Sequence, residues 1–160
     1  MTITTFVHYG ALDEAALKHP ALTFYATYSK TFGEPNFFQN VSFDQFYADD
    51  AIQYDTDGKV IRGGRAIWAG YEELYKPVGQ KHDTKSWIIV SDSEKGTHEI
   101  HVEMISTFQA PGRSDTLAIP RIFIYTVGKA DEGKGTFGFQ HRQIKSFWDK
   151  GELEKYVLHK

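Results

Sequence analysis

The sequence predicts an α+β fold in which helices come first and a long antiparallel meander follows, and three observations predict it. Apolar side chains recur at helical spacing through the first third of the chain and again from Arg65 to Tyr75. After Asp49-Asp50 the period drops to two, first in a short hairpin and then in four long runs separated by turn signals. Aromatic residues make up 15% of the chain, with twelve Phe, nine Tyr and three Trp, a mixture of apolar area and polar tips that suits the wall of a pocket as well as a core.

Taken in order, Asp13 to Lys18 reads as a short helical turn, and Pro20 fits the first position of a longer helix running to about Phe32. Leu22, Tyr25, Tyr28 or Ser29, and Phe32 form its apolar face, and Gly33-Glu34-Pro35 ends it. Ser42 is positioned to cap a short helix whose Phe43, Phe46 and Tyr47 point one way. Ala51 to Asp55 and Lys59 to Arg62 then flank the Asp57-Gly58 turn as a hairpin. Gly63-Gly64 opens a third helix, Arg65 to about Tyr75, which buries Ile67, Trp68, Tyr71, Leu74 and Tyr75 before Pro77 stops it. The four long strands cover roughly His82 to Val90, His98 to Phe108, Leu117 to Val127 and Phe137 to Trp148, and a last helix covers Glu152 to Leu158. One domain spans 1–160, without a linker, repeat or low-complexity segment.

Composition removes several function classes. With no cysteine there is no disulfide, no thiolate metal site and no cysteine nucleophile. A net charge of −3 with scattered Lys and Arg offers no basic stripe for phosphates, so nucleic acid is not an expected partner. Met1 to Gly10 has neither a basic region nor an apolar run, and no stretch approaches the roughly 18 apolar residues of a membrane span. A cytoplasmic protein without membrane contact is the expectation. Two near-motifs fail on their own terms. Gly128 to Gly135 puts Gly135 where a phosphate loop needs Ser or Thr, and His98-Glu99-Ile100-His101 is one residue short of the zinc-protease motif and lies in a strand.

Three local patterns carry a resemblance. Phe46-Tyr47-Ala48-Asp49-Asp50-Ala51, Val60-Ile61-Arg62-Gly63-Gly64-Arg65-Ala66-Ile67 and Gln143-Ile144-Lys145-Ser146-Phe147-Trp148-Asp149 resemble, respectively, the helix-to-strand junction, the turn into the third helix and the last strand of the SnoaL-like, or nuclear-transport-factor-two-like, superfamily. Their span is Phe46 to Asp149, and the order of elements agrees. The resemblance implies a cone-shaped curved antiparallel β-sheet wrapped around three N-terminal helices, enclosing an apolar pocket, with the convex face of the sheet used for homodimerisation. It also implies an apolar small-molecule substrate, and since no serine elbow or dinucleotide fingerprint appears in the sequence, cofactor-free acid-base chemistry is expected. Members include polyketide cyclases, scytalone dehydratase, limonene epoxide hydrolase, ketosteroid isomerase and fungal secondary-metabolite isomerases, beside non-catalytic binding modules, so the fold does not decide the chemistry.

Alternation along His98 to Phe108 puts Ile100, Val102, Met104 and Phe108 on the pocket face and Glu99, His101 and Glu103 on the other. The resemblance places Gln53 and Asp55 in the pocket. Asp55 has two readings: a carboxylate raised in pKa by apolar walls, fit for acid-base work, or the opening residue of the Asp55-Thr56-Asp57-Gly58 turn. His82 stands where the dehydratase branch carries a catalytic histidine, and is otherwise a surface residue beside Lys81 and Asp83. Tyr28 resembles that branch's pocket tyrosine. Asp55, His82 and Tyr28 are therefore the expected catalytic groups, with Tyr25, Gln53, Trp68, Val102, Met104, Arg142 and Ser146 as substrate contacts and no metal ligand. Ser146 replaces an acid of the epoxide hydrolase branch, whose water-activating mechanism does not carry over. Arg121, on a face shared with Phe123 and Tyr125, ranks after His82. The expected activity is that of a cofactor-independent lyase or isomerase acting on an aromatic or polycyclic metabolite, the alternative being a binding module without chemistry.

Overall fold

Pro20 opens the first long helix, α1 (Pro20–Phe32), where its missing N–H loses no helical bond, and the His19 ring accepts a hydrogen bond from the Ala21 N–H at 3.3 Å. The computed structural model describes residues 2–34 and 36–158, so Pro35, expected to help end this helix, lies outside the described residues. Leu22, Phe24, Tyr25 and Tyr28 are buried on the face of α1 that meets the sheet. A short helix, α2 (Phe37–Asn40), follows it.

The helix expected after Ser42 is a single 3-10 turn, Phe43–Gln45, and Tyr47 is already in a strand, β2 (Tyr47–Tyr54). The backbone explains the shift: the Phe46 carbonyl accepts a bond from the His141 N–H at 2.7 Å, which ties the chain to the sheet before a helix can extend. The hairpin expected next is present, with β3 (Val60–Arg62) pairing antiparallel to β2. The third helix, α3 (Gly64–Tyr75), buries Ile67, Trp68, Tyr71 and Tyr75. Four long strands complete the sheet, β4 (Gly79–Asp92), β5 (Thr97–Gln109), β6 (Leu117–Lys129) and β7 (Phe139–Phe147), and α4 (Lys150–Leu158) follows them.

A strand not anticipated from the sequence, β1 (Ile3–Tyr9), pairs antiparallel with β4 at one edge. Only Phe6 and His8 are half-buried in it, so its period-two signal is weak. Among the described residues the strands form one curved, open sheet in the order β1-β4-β5-β6-β7-β2-β3. It is mixed instead of wholly antiparallel, because β2 runs parallel to β7. A parallel pair needs a long crossover, and here β3, α3 and the meander supply it.

The inner face of β5 carries Ile100, Val102, Met104 and Phe108, all buried as alternation predicts. Three strands break the alternation, the first being β2, whose pairing with β7 is irregular between Tyr47 and Ile52. In β4 the pairing with β5 slips between Thr84 and Ser86, leaving Lys85 as an extra residue, and in β7 the pairing with β6 slips so that Arg142 is extra. Among the described residues no helix is long and apolar enough to cross a membrane.

The start of α3 lies unusually close to β2. A Cβ built on Gly64 would stand 2.4 Å from the Ala48 carbonyl oxygen and 2.9 Å from Tyr47 Cβ, and Gly63 before it has φ +95°. Gly64→Ala is therefore expected to destabilise the fold by about 1–3 kcal/mol, read as a lower urea midpoint at unchanged slope. Wild-type stability would show that α3 can move off the strand.

Candidate functional site

His82 faces inward because of the slip at Lys85. Trp87 and Ile89 are buried on the inner face of β4, and a regular strand would then turn residue 82 outward; the extra residue restores it to the inside, opposite Ser106 of β5. Its outer surface is exposed at the cavity mouth, while Nδ1 meets Ser106 Oγ at 2.8 Å. Ser106 is fully buried and also accepts a bond from Arg121 Nη1 at 3.3 Å. Desolvation of the ring, followed by the Arg121 charge, lowers the His82 pKa to about 4. Water at the mouth moderates the desolvation, and the direction, a neutral imidazole at pH 7, is the consequence that matters.

Behind His82 lies a small cavity of about 80 Å³ that opens to solvent. Tyr25, Tyr28, Phe32, Met104, Phe123 and Tyr125 form its aromatic and apolar wall. Its polar groups include Ser29, His82, Gln80, Tyr71, Tyr75 and Arg121. The Arg121 guanidinium is buried, donates Nη2 to the Tyr75 hydroxyl, and lies 4.1 Å from the centroid of Trp148 and 4.5 Å from that of Phe123. Tyr28 contributes its ring to the wall, but its hydroxyl bonds that of Tyr47 at 2.5 Å, and burial raises its pKa well above the ordinary phenol value.

Asp55 does not line this cavity. It belongs to a second one, about 530 Å³, between the β2–β3 hairpin, α3 and α4, to which Gln53, Lys150 and Leu153 also contribute. Gln53 Nε2 and Ser146 Oγ donate to Asp55 Oδ1 at 2.7 and 2.9 Å, and Lys150 Nζ donates to Oδ2. Burial alone would raise the Asp55 pKa, as the sequence suggested. The bonds from Lys150, Gln53 and Ser146 outweigh it, and the carboxyl is held below its ordinary value. Tyr71 lines both cavities and stands between the two candidate groups.

The remaining predicted contacts divide in the same way. Tyr25 and Met104 line the His82 cavity, whereas Val102 is sealed in the core. Trp68 packs on Phe37 and Phe38 at 4.7 and 5.3 Å between centroids and lines neither cavity. Arg142 is a correction. As the extra residue of the β7 bulge it turns away from the pocket face and binds Asp50 and Asp131 at 3.1 and 2.9 Å. The same bulge swings His141 inside, where it is fully buried among Phe24, Tyr28, Tyr47 and Tyr125 with neither ring nitrogen hydrogen-bonded. Ser106, Gln80 and Lys150 were not singled out from the sequence, and Tyr75 was expected only as part of the buried face of α3; the inward position of Ser106 on the even face of β5 was a further usable signal.

No family model and no curated protein matches the sequence. Solved structures do match in fold. A protein of Catenulispora acidiphila in complex with S-DNPA superposes with a TM-score of 0.62 at 14% identity, over 88% of this chain and 99% of its own. A protein of Shewanella putrefaciens CN-32 assigned to the SnoaL-like polyketide cyclases gives 0.61 at 13% identity, over 94% and 97%. A ketosteroid isomerase-like protein of Erwinia carotovora atroseptica gives 0.55 at 11%, over 86% and 98%. At these identities the likeness shows the fold, and this chain has the SnoaL-like, nuclear-transport-factor-two-like fold.

Burial lowers the His141 pKa to about 3, against about 6.5 for an exposed ring. Between these values the unfolded chain holds a proton that the folded chain does not, so stability present above pH 6.5 is lost as pH falls towards 3. His141→Phe should keep wild-type stability at pH 7 and lose less of it at pH 5, with about one proton fewer taken up on unfolding. Equal pH slopes in urea melts of the two proteins would contradict the assignment.

Proposed function

We propose that this chain is a cofactor-independent lyase or isomerase that moves a proton on an aromatic or polycyclic secondary metabolite, with His82 as the general base. The observation that carries the proposal is the His82 imidazole held through Nδ1 by Ser106 at the mouth of an aromatic cavity. In the tautomer whose Nδ1–H donates to Ser106 Oγ, the Nε2 lone pair is free to take a proton from a carbon beside a carbonyl. Electrons then move onto the carbonyl oxygen, and return of the proton at another atom completes an isomerisation. Expulsion of a hydroxyl from the neighbouring carbon, protonated by the imidazolium and leaving as water, instead gives an elimination and restores the neutral ring. The aromatic wall matches a flat ligand, and two proteins of this fold come from the polyketide cyclase and ketosteroid isomerase-like groups. Asp55, paired with Lys150 in the neighbouring cavity, is not assigned the proton transfer.

Incubation with polycyclic enones and β-hydroxyketones in D₂O tests this. Wild type should exchange deuterium into the carbon beside the carbonyl, His82→Ala should do so about a hundredfold more slowly, and Asp55→Asn should lose less. Binding without exchange would leave the alternative of a non-catalytic binding module, which the Tyr28–Tyr47 and Asp55–Lys150 pairings favour because they occupy two of the three expected catalytic groups.

We also propose a homodimer through the outer face of the sheet. Val7, Ile88, Ile105, Ile122 and Phe147 are each between 36% and 48% exposed on that face, more apolar surface than a strand row normally leaves in water. Ile122→Glu should shift the protein from dimer to monomer in analytical ultracentrifugation, whereas a monomeric wild type would refute the interface.

A further inference from the structure

We propose that the His82 cavity takes an aromatic carboxylic acid, with the ligand carboxylate paired to the Arg121 guanidinium. The inference rests on the reading of this cavity as the ligand site and adds to it the charge of the ligand. Arg121 is 3% exposed, and among the described residues no Asp or Glu lies within ion-pair distance of it. Its hydrogen-bond partners, Ser106 and Tyr75, are neutral hydroxyls, and ring faces compensate a buried cation only in part. Isolated buried charges are expensive, and a chain that keeps one without an acid partner holds it for something that arrives with the opposite charge.

Three buried atoms on residues that line this cavity lack a partner. Nε of Arg121 has no hydrogen-bond partner, and neither does the Oε1 of Gln80 or the hydroxyl of Tyr71, both of which line the cavity with it. An unpartnered donor on a fixed guanidinium suits a planar carboxylate, which accepts from the fork with two oxygens. A phosphate fits less well: the site offers one cation, whereas a dianion is ordinarily held by several donors or a helix N-terminus. The Tyr25, Tyr28, Phe123 and Tyr125 rings then select an aromatic body behind the acid group.

Calorimetric titration with 1-naphthoate and with 1-naphthamide, the neutral amide of nearly the same shape, tests the inference on the wild-type protein. Naphthoate is expected to bind at least about tenfold more tightly, the usual size of a charge-assisted bond to a buried group. Equal affinity for acid and amide, or binding of neither at millimolar concentration, overturns it whatever any variant does. Arg121→Met should abolish the preference while keeping or raising the melting temperature of the free protein, since it removes an unpaired charge and keeps the volume. A purely structural Arg121 would give the reverse, a lowered melting temperature in Arg121→Met and no preference in wild type. Acid preference without deuterium exchange would keep this site and sink the catalytic reading; exchange without acid preference would do the opposite.

Discussion

The burial of one guanidinium organises the centre of this molecule. Arg121 of β6 lies under the sheet with Tyr75 of α3 and Ser106 of β5 as its acceptors, and with Trp148, just past the end of β7, over its face. Because hydroxyls and ring faces stabilise a cation only at close range and in particular orientations, four separate parts of the chain must converge for the charge to be tolerated. The slip at Lys85 turns His82 inward, and the hold on its ring follows from that convergence, since it shares Ser106 with the arginine. So does its protonation state: a positive charge behind the imidazole, added to its desolvation, keeps the ring neutral.

How far the sequence could be read depended on regularity. Along β5 and β6 the pairing has no slip, and the inward sets Ile100, Val102, Met104 and Phe123, Tyr125 follow from alternation alone. The helices α1 and α3 and the β2–β3 hairpin were legible for the same reason: their apolar spacing and their Pro and Gly signals agree. A bulge has no comparable signature. One extra residue, Arg142, exchanges the inside and outside of β7, which is why that arginine was expected in the pocket and His141 was not considered at all. The slip at Lys85 acts in the other direction, turning His82 inward from a strand whose buried Trp87 and Ile89 would otherwise place it outside.

Long-range pairing was equally hidden. The sequence shows Asp55 beside apolar residues, and from that view its pKa should rise. Lys150 lies ninety-five positions away in the chain, and only the path of α4 brings its amine to the carboxylate. That pairing changes the acid from a candidate base into a neutralised anchor, and Tyr71 then separates it from His82. The polar interior thus has two parts with opposite character: a satisfied carboxylate under α4, and an arginine without an acid under α1 and α3.

Where the unsatisfied groups lie gives this division its meaning. In well-packed proteins buried polar atoms nearly all find partners, and exceptions in the interior cost stability. Here the buried side chains with an unpartnered nitrogen or oxygen include Gln53, Tyr71, Gln80 and Arg121, and each of these four lines one of the two cavities. His141 is different, being enclosed by aromatic rings, and a neutral imidazole there loses less than an ion would. A random scatter of packing faults would not select cavity walls in this way. Selection for stability alone would have replaced Arg121, deep among rings and without a carboxylate, by an apolar residue of similar length. Its presence in an otherwise closely packed aromatic core places the cause on the side of the cavity, in what enters it, and not on the side of the fold.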